Sequence, residues 1–244
     1  MRSQSISWVE SWIEKQEIIA NRFKSDDISR FLHWPTVRGT MHINYLESII
    51  SMELPIVQNH WSNWQEICQA PPLGSPSYDT EFDGVTCHYI HQAYLVARYE
   101  METGNKIQDM SKICEYGPGY GAMPIILSRV GFSGKYYLHD IPGTVNLSAY
   151  YLLKNAPVNF RWQLGIPYMS DLVIAVHSLN ESSKECRDRF WNSLYTDKAF
   201  VVYSEADGQW KPEDDELPGY SIPVVHTPPM RMHFYGQDQD DTTP

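Results

Sequence analysis

Apolar residues in the first hundred positions recur at helical spacing, and near residue 111 the pattern changes to short continuous runs. Over 6–24, Trp8, Val9, Trp12, Ile13, Ile19 and Phe23 fall mostly on one face, which predicts an amphipathic helix. Further helical pieces are expected at 41–52 and 61–69. A long helix is expected at 86–102, with Gly104 as its stop. Between them "APPLGSPSYDTEFDG" (70–84), rich in Pro, Gly and Asp, reads as a loop and a candidate lid.

From "KICEYG" to "AFVVYSEA", apolar runs of four to seven residues alternate with helical segments. Continuous rather than alternating apolar strands, each followed by a helix, predict a mostly parallel sheet covered on both faces. The fold class expected is therefore α/β, a Rossmann-like doubly wound sheet with an N-terminal helical extension. After 217, "GYSIPVVHTPPMRMHFYG" reads as extended segments with no helix between them. The division expected is an extension with its lid loop at 1–84, a ligand-binding domain at 85–236 and a mobile acidic tail at 237–244.

Charge narrows the partners. Thirty acidic residues against 19 basic give a formal net charge of −11, and no Lys/Arg run interleaves with aromatics. Such a surface repels phosphate backbones, so nucleic acid is not an expected partner. The four cysteines stand far apart without a CxxC pair, which fits a reducing compartment rather than a zinc cluster or a disulfide framework. No run approaches a membrane span, and no secretory pattern follows Met1. A cytoplasmic protein is expected, with its oligomeric state undetermined.

The chemistry concentrates in "ICEYGPGYGAMPIILSRVGFSGKYYLHD" (113–140). Gly117, Gly119 and Gly121 lie between a predicted strand and a predicted helix, where they permit a tight turn and close approach of a ligand. The helix start beyond suits an anionic group. Asp140, at the end of the next strand, can accept hydrogen bonds from both hydroxyls of a ribose. "GPGYGA" satisfies the dinucleotide pattern GxGxxA as well as GxGxG. Three features favour S-adenosylmethionine over NAD. Glu115 can meet an ammonium two residues before the first glycine, only about five strands follow the loop, and the chain closes on a helix-free extended pair.

On these residues the chain resembles the class I methyltransferases, and more narrowly the sugar O-methyltransferase family. "EYGPGYG" (115–121), "DIP" (140–142), "SAYYL" (148–152) and the pair Ser178 and Glu181 match that group, as does the helix "CHYIHQAYLVARYE". Ala175, Val176 and Ser182 depart from its pattern. The resemblance covers roughly 85–210 and implies S-adenosylmethionine as cofactor and a carbohydrate hydroxyl as methyl acceptor. Cofactor contacts are expected from Glu115, Tyr116, Gly117, Gly119, Gly121, Asp140, Ile141, Leu164 and Gly165.

A hydroxyl needs a base as its oxygen attacks. His177, at the end of the fourth strand, is the candidate, with Glu181 to orient it or to act itself; the bland alternative is that both only cap local structure. Acceptor contacts are expected from His91, Tyr94, Ser178 and Asp207. His88, His91 and Tyr94 share a helix face, which either meets the acceptor or is satisfied in the core. Trp34, Trp61, Trp64 and Tyr78 either pack the extension or offer sugar-stacking rings. The fourth strand ends without an Asp, so no metal is expected. An NAD-dependent oxidoreductase and a non-catalytic methyltransferase-like module are the competing readings.

Overall fold

The computed structural model describes residues 4–43, 48–155, 159–162, 169–192, 196, 198–205, 210–215, 219–224 and 230–235. Seven strands form one sheet: β1 (Lys112–Tyr116), β2 (Lys135–His139), β3 (Asn159–Trp162), β4 (Leu172–Val176), β5 (Ala199–Ser204), β6 (Gly219–Val224) and β7 (Met230–Tyr235). Their order is β3-β2-β1-β4-β5-β7-β6. β1 to β5 run parallel, and β7 is antiparallel to both β5 and β6. This is the mixed, mostly parallel, doubly wound α/β sheet that the run pattern predicts.

The parallel strands read as continuous apolar runs because each face has its own cover. Ile113, Leu172, Ile174, Phe200 and Val202 join the larger core, whereas Cys114, Val173, Ala175, Ala199 and Val201 join a second core on the opposite face. Period-two alternation along a strand gives this division. Helix α5 (Cys87–Thr103) packs in the larger core and is buried almost throughout. The Thr86 hydroxyl accepts from the Tyr89 amide at its start, and Gly104 (φ +67°) ends it in the left-handed region. α6 (Ala122–Arg129) follows β1 and α7 (Pro142–Asn155) follows β2. α8 (Lys184–Asn192) follows β4 and places Phe190 in the second core.

N-terminal to α5 lie α1 (Gln4–Ser25), α2 (Pro35–Thr40), α3 (Leu54–His60) and α4 (Trp64–Cys68). Ile19, Phe31, Leu32, Trp34 and Val37 belong to the same hydrophobic cluster as the sheet, so the extension shares the core of the ligand-binding domain. α1 lies against α7. The helix expected over 41–52 does not include its first three residues. Residues 41–43 are non-helical, a π-turn spans Ile49–Glu53, and Pro55 opens α3. Pro35 likewise opens α2, since its fixed φ and missing N–H suit a first helical turn.

From β1 the chain winds outward to β2 and β3, then returns to place β4 on the other side of β1. Strand order reverses between β1 and β4, and ligands of such sheets lie outside the carboxyl ends at that reversal. No described helix is long and apolar enough to cross a membrane. Cys68, Cys87 and Cys114 are buried thiols and Cys186 is exposed.

Candidate functional site

A cavity of about 420 Å³ lies at this reversal, walled by the carboxyl ends of β1, β2 and β4 and roofed by the N-terminal extension. Its floor is the β1–α6 turn. Gly117 (φ +72°) and Gly119 (φ +57°) adopt the left-handed conformation that disfavours a side chain. A Cβ on Gly117 would collide with the Ser178 side chain, so β1 and β4 approach each other closely here. A Cβ on Gly119 would stand 3.5 Å from Met41, within the cavity. Gly121 does not line it; its missing Cβ makes room for Leu152 of α7.

Two carboxylates line the cavity beside the turn. Glu115 is 3% exposed and accepts from the Tyr136 hydroxyl at 2.9 Å. Burial pushes its pKa up to about 8, against the pull of that hydrogen bond and with a further push from Asp140. Asp140, half-buried at the end of β2, accepts from its neighbour's amide, Ile141 N–H, at 2.7 Å. Burial raises its pKa to about 7, although Thr144 and the Ile141 and Gly119 amides favour the charged form. Neither the buried Glu115 nor the half-buried Asp140 has a compensating cation among the described lining residues, and the site fits a ligand that brings one. Beside them the Tyr116 and His139 rings stack with centroids 5.0 Å apart, and Ile141 completes this wall.

The opposite half of the cavity is rich in imidazole. His177 follows β4 with φ +58°, a left-handed conformation costly for a side chain with a Cβ. Its amide donates to Val202 O at 2.9 Å. Its ring is nearly parallel to that of His91, 6.3 Å between centroids. His91 lies beneath the wall rather than on it, fully buried, with Nδ1 at 3.0 and 3.1 Å from the two Glu53 carboxylate oxygens. His88, one turn of α5 before the lining residue Gln92, reaches the cavity and stacks on His42 at 5.1 Å. Burial and the imidazoles of His42, His91 and His177 hold His88 well below its usual pKa.

α1 closes the roof. Trp12 Nε1 donates to Glu181 Oε2 at 2.7 Å, and Trp12, Gln16 and Glu181 all line the cavity. Burial raises the Glu181 pKa, while the Trp12 bond and Lys15 draw it back.

The expected site residues thus divide. Glu115, Tyr116, Gly117, Gly119, Asp140, Ile141, His177, Ser178 and Glu181 converge on one cavity. Ser178 spends its hydroxyl proton on Tyr116 O at 2.6 Å, tying the ends of β1 and β4 together. His91 and Tyr94 do not line the cavity and are buried in the core, because α5 turns His88 and Gln92 toward it instead. Leu164, Gly165 and Asp207 lie outside the described residues. Trp34, Trp61, Trp64 and Tyr78 are not among the described lining residues, whereas Trp12 is. The 70–84 loop contributes none either. It packs on the 28–33 turn, where Gly74 O accepts from the Leu32 amide and Ser75 O bonds His33.

Sequence reasoning missed Trp12, Gln16, Met41, His42, Gln92 and Glu53. Helical periodicity marks Trp12 as an apolar position but does not say what it covers.

No family model matches the chain, and no curated protein matches it. Among solved structures it is similar to the magnesium protoporphyrin IX methyltransferase of Synechocystis PCC 6803 with bound SAM, at 14% identity and TM-score 0.48, over 90% of this chain and 95% of that one. It is also similar to a SAM-dependent methyltransferase of Aquifex aeolicus, at 18% identity and TM-score 0.39, over 51% and 81% of the two chains. A third is the precorrin-6y C5,15-methyltransferase of Geobacter metallireducens GS-15, at 14% identity and TM-score 0.41, over 57% and 87%.

Proposed function

We propose that this protein is an S-adenosylmethionine-dependent O-methyltransferase acting on a carbohydrate hydroxyl. The observation that carries the proposal is the convergence, on one cavity, of the glycine turn, two carboxylates of raised pKa and an imidazole at the end of β4.

Glu115 would take the ammonium of the methionine moiety, and Asp140 the ribose hydroxyls. Both ligand groups favour the ionised carboxylate, which burial alone disfavours here. The bare backbone at Gly119 leaves room against the chain. Tyr116, His139 and Ile141 offer flat and apolar surface for the base. The bound cofactor supplies an electrophilic methyl carbon on a sulfonium.

The protein's task is then to hold the acceptor oxygen in line with that carbon and sulfur, which is largely positioning. His177 accepts the hydroxyl proton as the oxygen attacks. Gln16, His42, His88 and Gln92 offer hydrogen bonds without a fixed charge, and Trp12 a ring against which sugar C–H groups pack. That set, together with the resemblance of "EYGPGYG" and "DIP" to the sugar O-methyltransferase motifs, supports a polyhydroxylated acceptor.

The competing dinucleotide reading suits this sheet less well. Dinucleotide folds join two mononucleotide halves in the order 3-2-1-4-5-6. Here the outer strands are an antiparallel pair with β7 inserted between β5 and β6.

Calorimetric titration with S-adenosylhomocysteine, with NADH in parallel, tests the cofactor. Transfer of tritiated methyl to a panel of glycosides tests the acceptor. Saturable homocysteine-adduct binding with labelled sugar product is expected. NADH binding without S-adenosylhomocysteine binding would overturn the proposal.

A further inference from the structure

The charge of the cavity wall bears on the acceptor's chemistry, within the methyl-transfer reading proposed above. Three carboxylates reach the cavity, those of Glu115, Asp140 and Glu181, and among the described residues no lysine or arginine side chain lines it. The cations next in sequence to lining residues are turned to other partners. Lys15 Nζ stands 4.9 Å from the centroid of the Trp12 ring and draws on Glu181. Lys184 Nζ holds Asp188 at 2.6 Å. Arg187 donates to Ser182 O and covers the Trp210 ring at 5.1 Å. The residues outside the described set add a single cation, Arg2.

The buried imidazole of His88 does not replace the missing cation. His88 is held neutral by burial, and His42, His91 and His177 each disfavour a charge on it. Clustered rings of this kind oppose one another's protonation. They donate and accept hydrogen bonds, which is what hydroxyl groups need.

We infer that the acceptor is uncharged, a neutral glycoside or polyol, and that sugar phosphates, nucleotide sugars and uronates are turned away. Proteins meet phosphate and carboxylate groups with arginine or lysine, because an anion moved from water needs a paired cation. A wall that offers Glu181 and no lysine or arginine among its described residues gives such acceptors no paired charge, which is specificity through an unfavourable contact. The cofactor of that reading brings two positive groups into the cavity, an ammonium that meets Glu115 and a sulfonium whose charge is spent on the transferring methyl.

The test begins by saturating the protein with S-adenosylhomocysteine, a step whose failure would remove the cofactor reading itself. The loaded protein is then titrated with UDP, inorganic pyrophosphate and glucuronate. In parallel, tritiated S-adenosylmethionine is offered with methyl glucoside, glucose 1-phosphate and UDP-glucose, and with the same trio for galactose and mannose. No saturable anion binding is expected, with label confined to neutral members. One-to-one binding of any of these anions to the loaded protein would overturn the inference while leaving the cofactor reading standing. So would a phosphorylated or nucleotide-linked sugar labelled at a kcat/KM equal to or above that of its neutral counterpart.

Discussion

The indole Nε1 of Trp12 donates to Glu181 Oε2 at 2.7 Å, joining residues 169 positions apart across the mouth of the cavity. Through this bond α1 is fastened to the segment after β4, so the N-terminal helix completes a site whose other walls come from the sheet edge. Trp12→Phe keeps the ring and removes the donor. The loss of one such bond should lower unfolding stability by about 1 kcal/mol. Glu181, deprived of the contact that favours its charged form, should titrate higher still. Denaturant midpoints and the release rate of S-adenosylhomocysteine check this. A variant equal to the parent in both would show that the bond does not hold the roof.

Asp140 and Glu115 give the cofactor-free protein a defined pH response. Their pKa values in the folded state, about 7 and about 8, stand above the ordinary carboxylate values of 3.8 and 4.5. Between those limits the folded state holds more protons than the unfolded one. The contribution of these two groups to stability therefore falls as pH rises from about 4 to 8. A ligand that prefers both carboxylates ionised should bind more tightly across the upper part of that window, with release of protons. Calorimetry in buffers of different ionisation enthalpy measures that release, and proton uptake would contradict it. Asp140→Ala should lose two ribose contacts, each costing on the order of 1–3 kcal/mol of affinity.

His177 combines its proposed role as base with a left-handed backbone. His177→Ala should leave S-adenosylhomocysteine affinity nearly unchanged and lower methyl transfer by roughly 10²–10⁴-fold, the usual worth of a general base. The left-handed φ of +58° adds a second expectation. His177→Gly should be more stable than His177→Ala by about 1 kcal/mol, since only glycine adopts that conformation without cost. Equal melting of the two variants would argue against strain at this position.

Glu53 and His91 are fully buried partners beneath the imidazole wall. Removing either alone strands a polar or charged group and should cost about 3–5 kcal/mol. Replacing both, as Glu53→Met with His91→Leu, should cost much less than the sum of the single variants. A double-mutant cycle on unfolding stability reads the coupling, and additive losses would show that the pair does not act as a unit.

Gly117→Ala meets two penalties, a φ of +72° and a clash with the Ser178 side chain. Combining it with Ser178→Gly removes the clash and leaves the strain. The double variant should recover part of the stability lost, and no recovery would place the whole cost in the backbone.

The sequence determined what depends on near neighbours. The apolar runs from β1 to β5, the helices that follow β1, β2 and β4, the glycine turn and Asp140 one strand over all follow from local period and turn chemistry. Gly104 and Thr86 mark the limits of α5 for the same reason. What the tertiary structure decided is which surfaces meet. Periodicity distinguishes the apolar face of α1 but not its seat over the carboxyl ends of β1 and β4, so Trp12 and Gln16 could not be told from ordinary packing residues. Likewise His88 and His91 are equivalent in sequence, three apart on one helix. Only the direction in which α5 is packed sends the first to the cavity and the second to Glu53. A local pattern sets the conformation of a segment, whereas the wall of a site is assembled from segments distant in the chain, and their docking is fixed by the burial of the whole core.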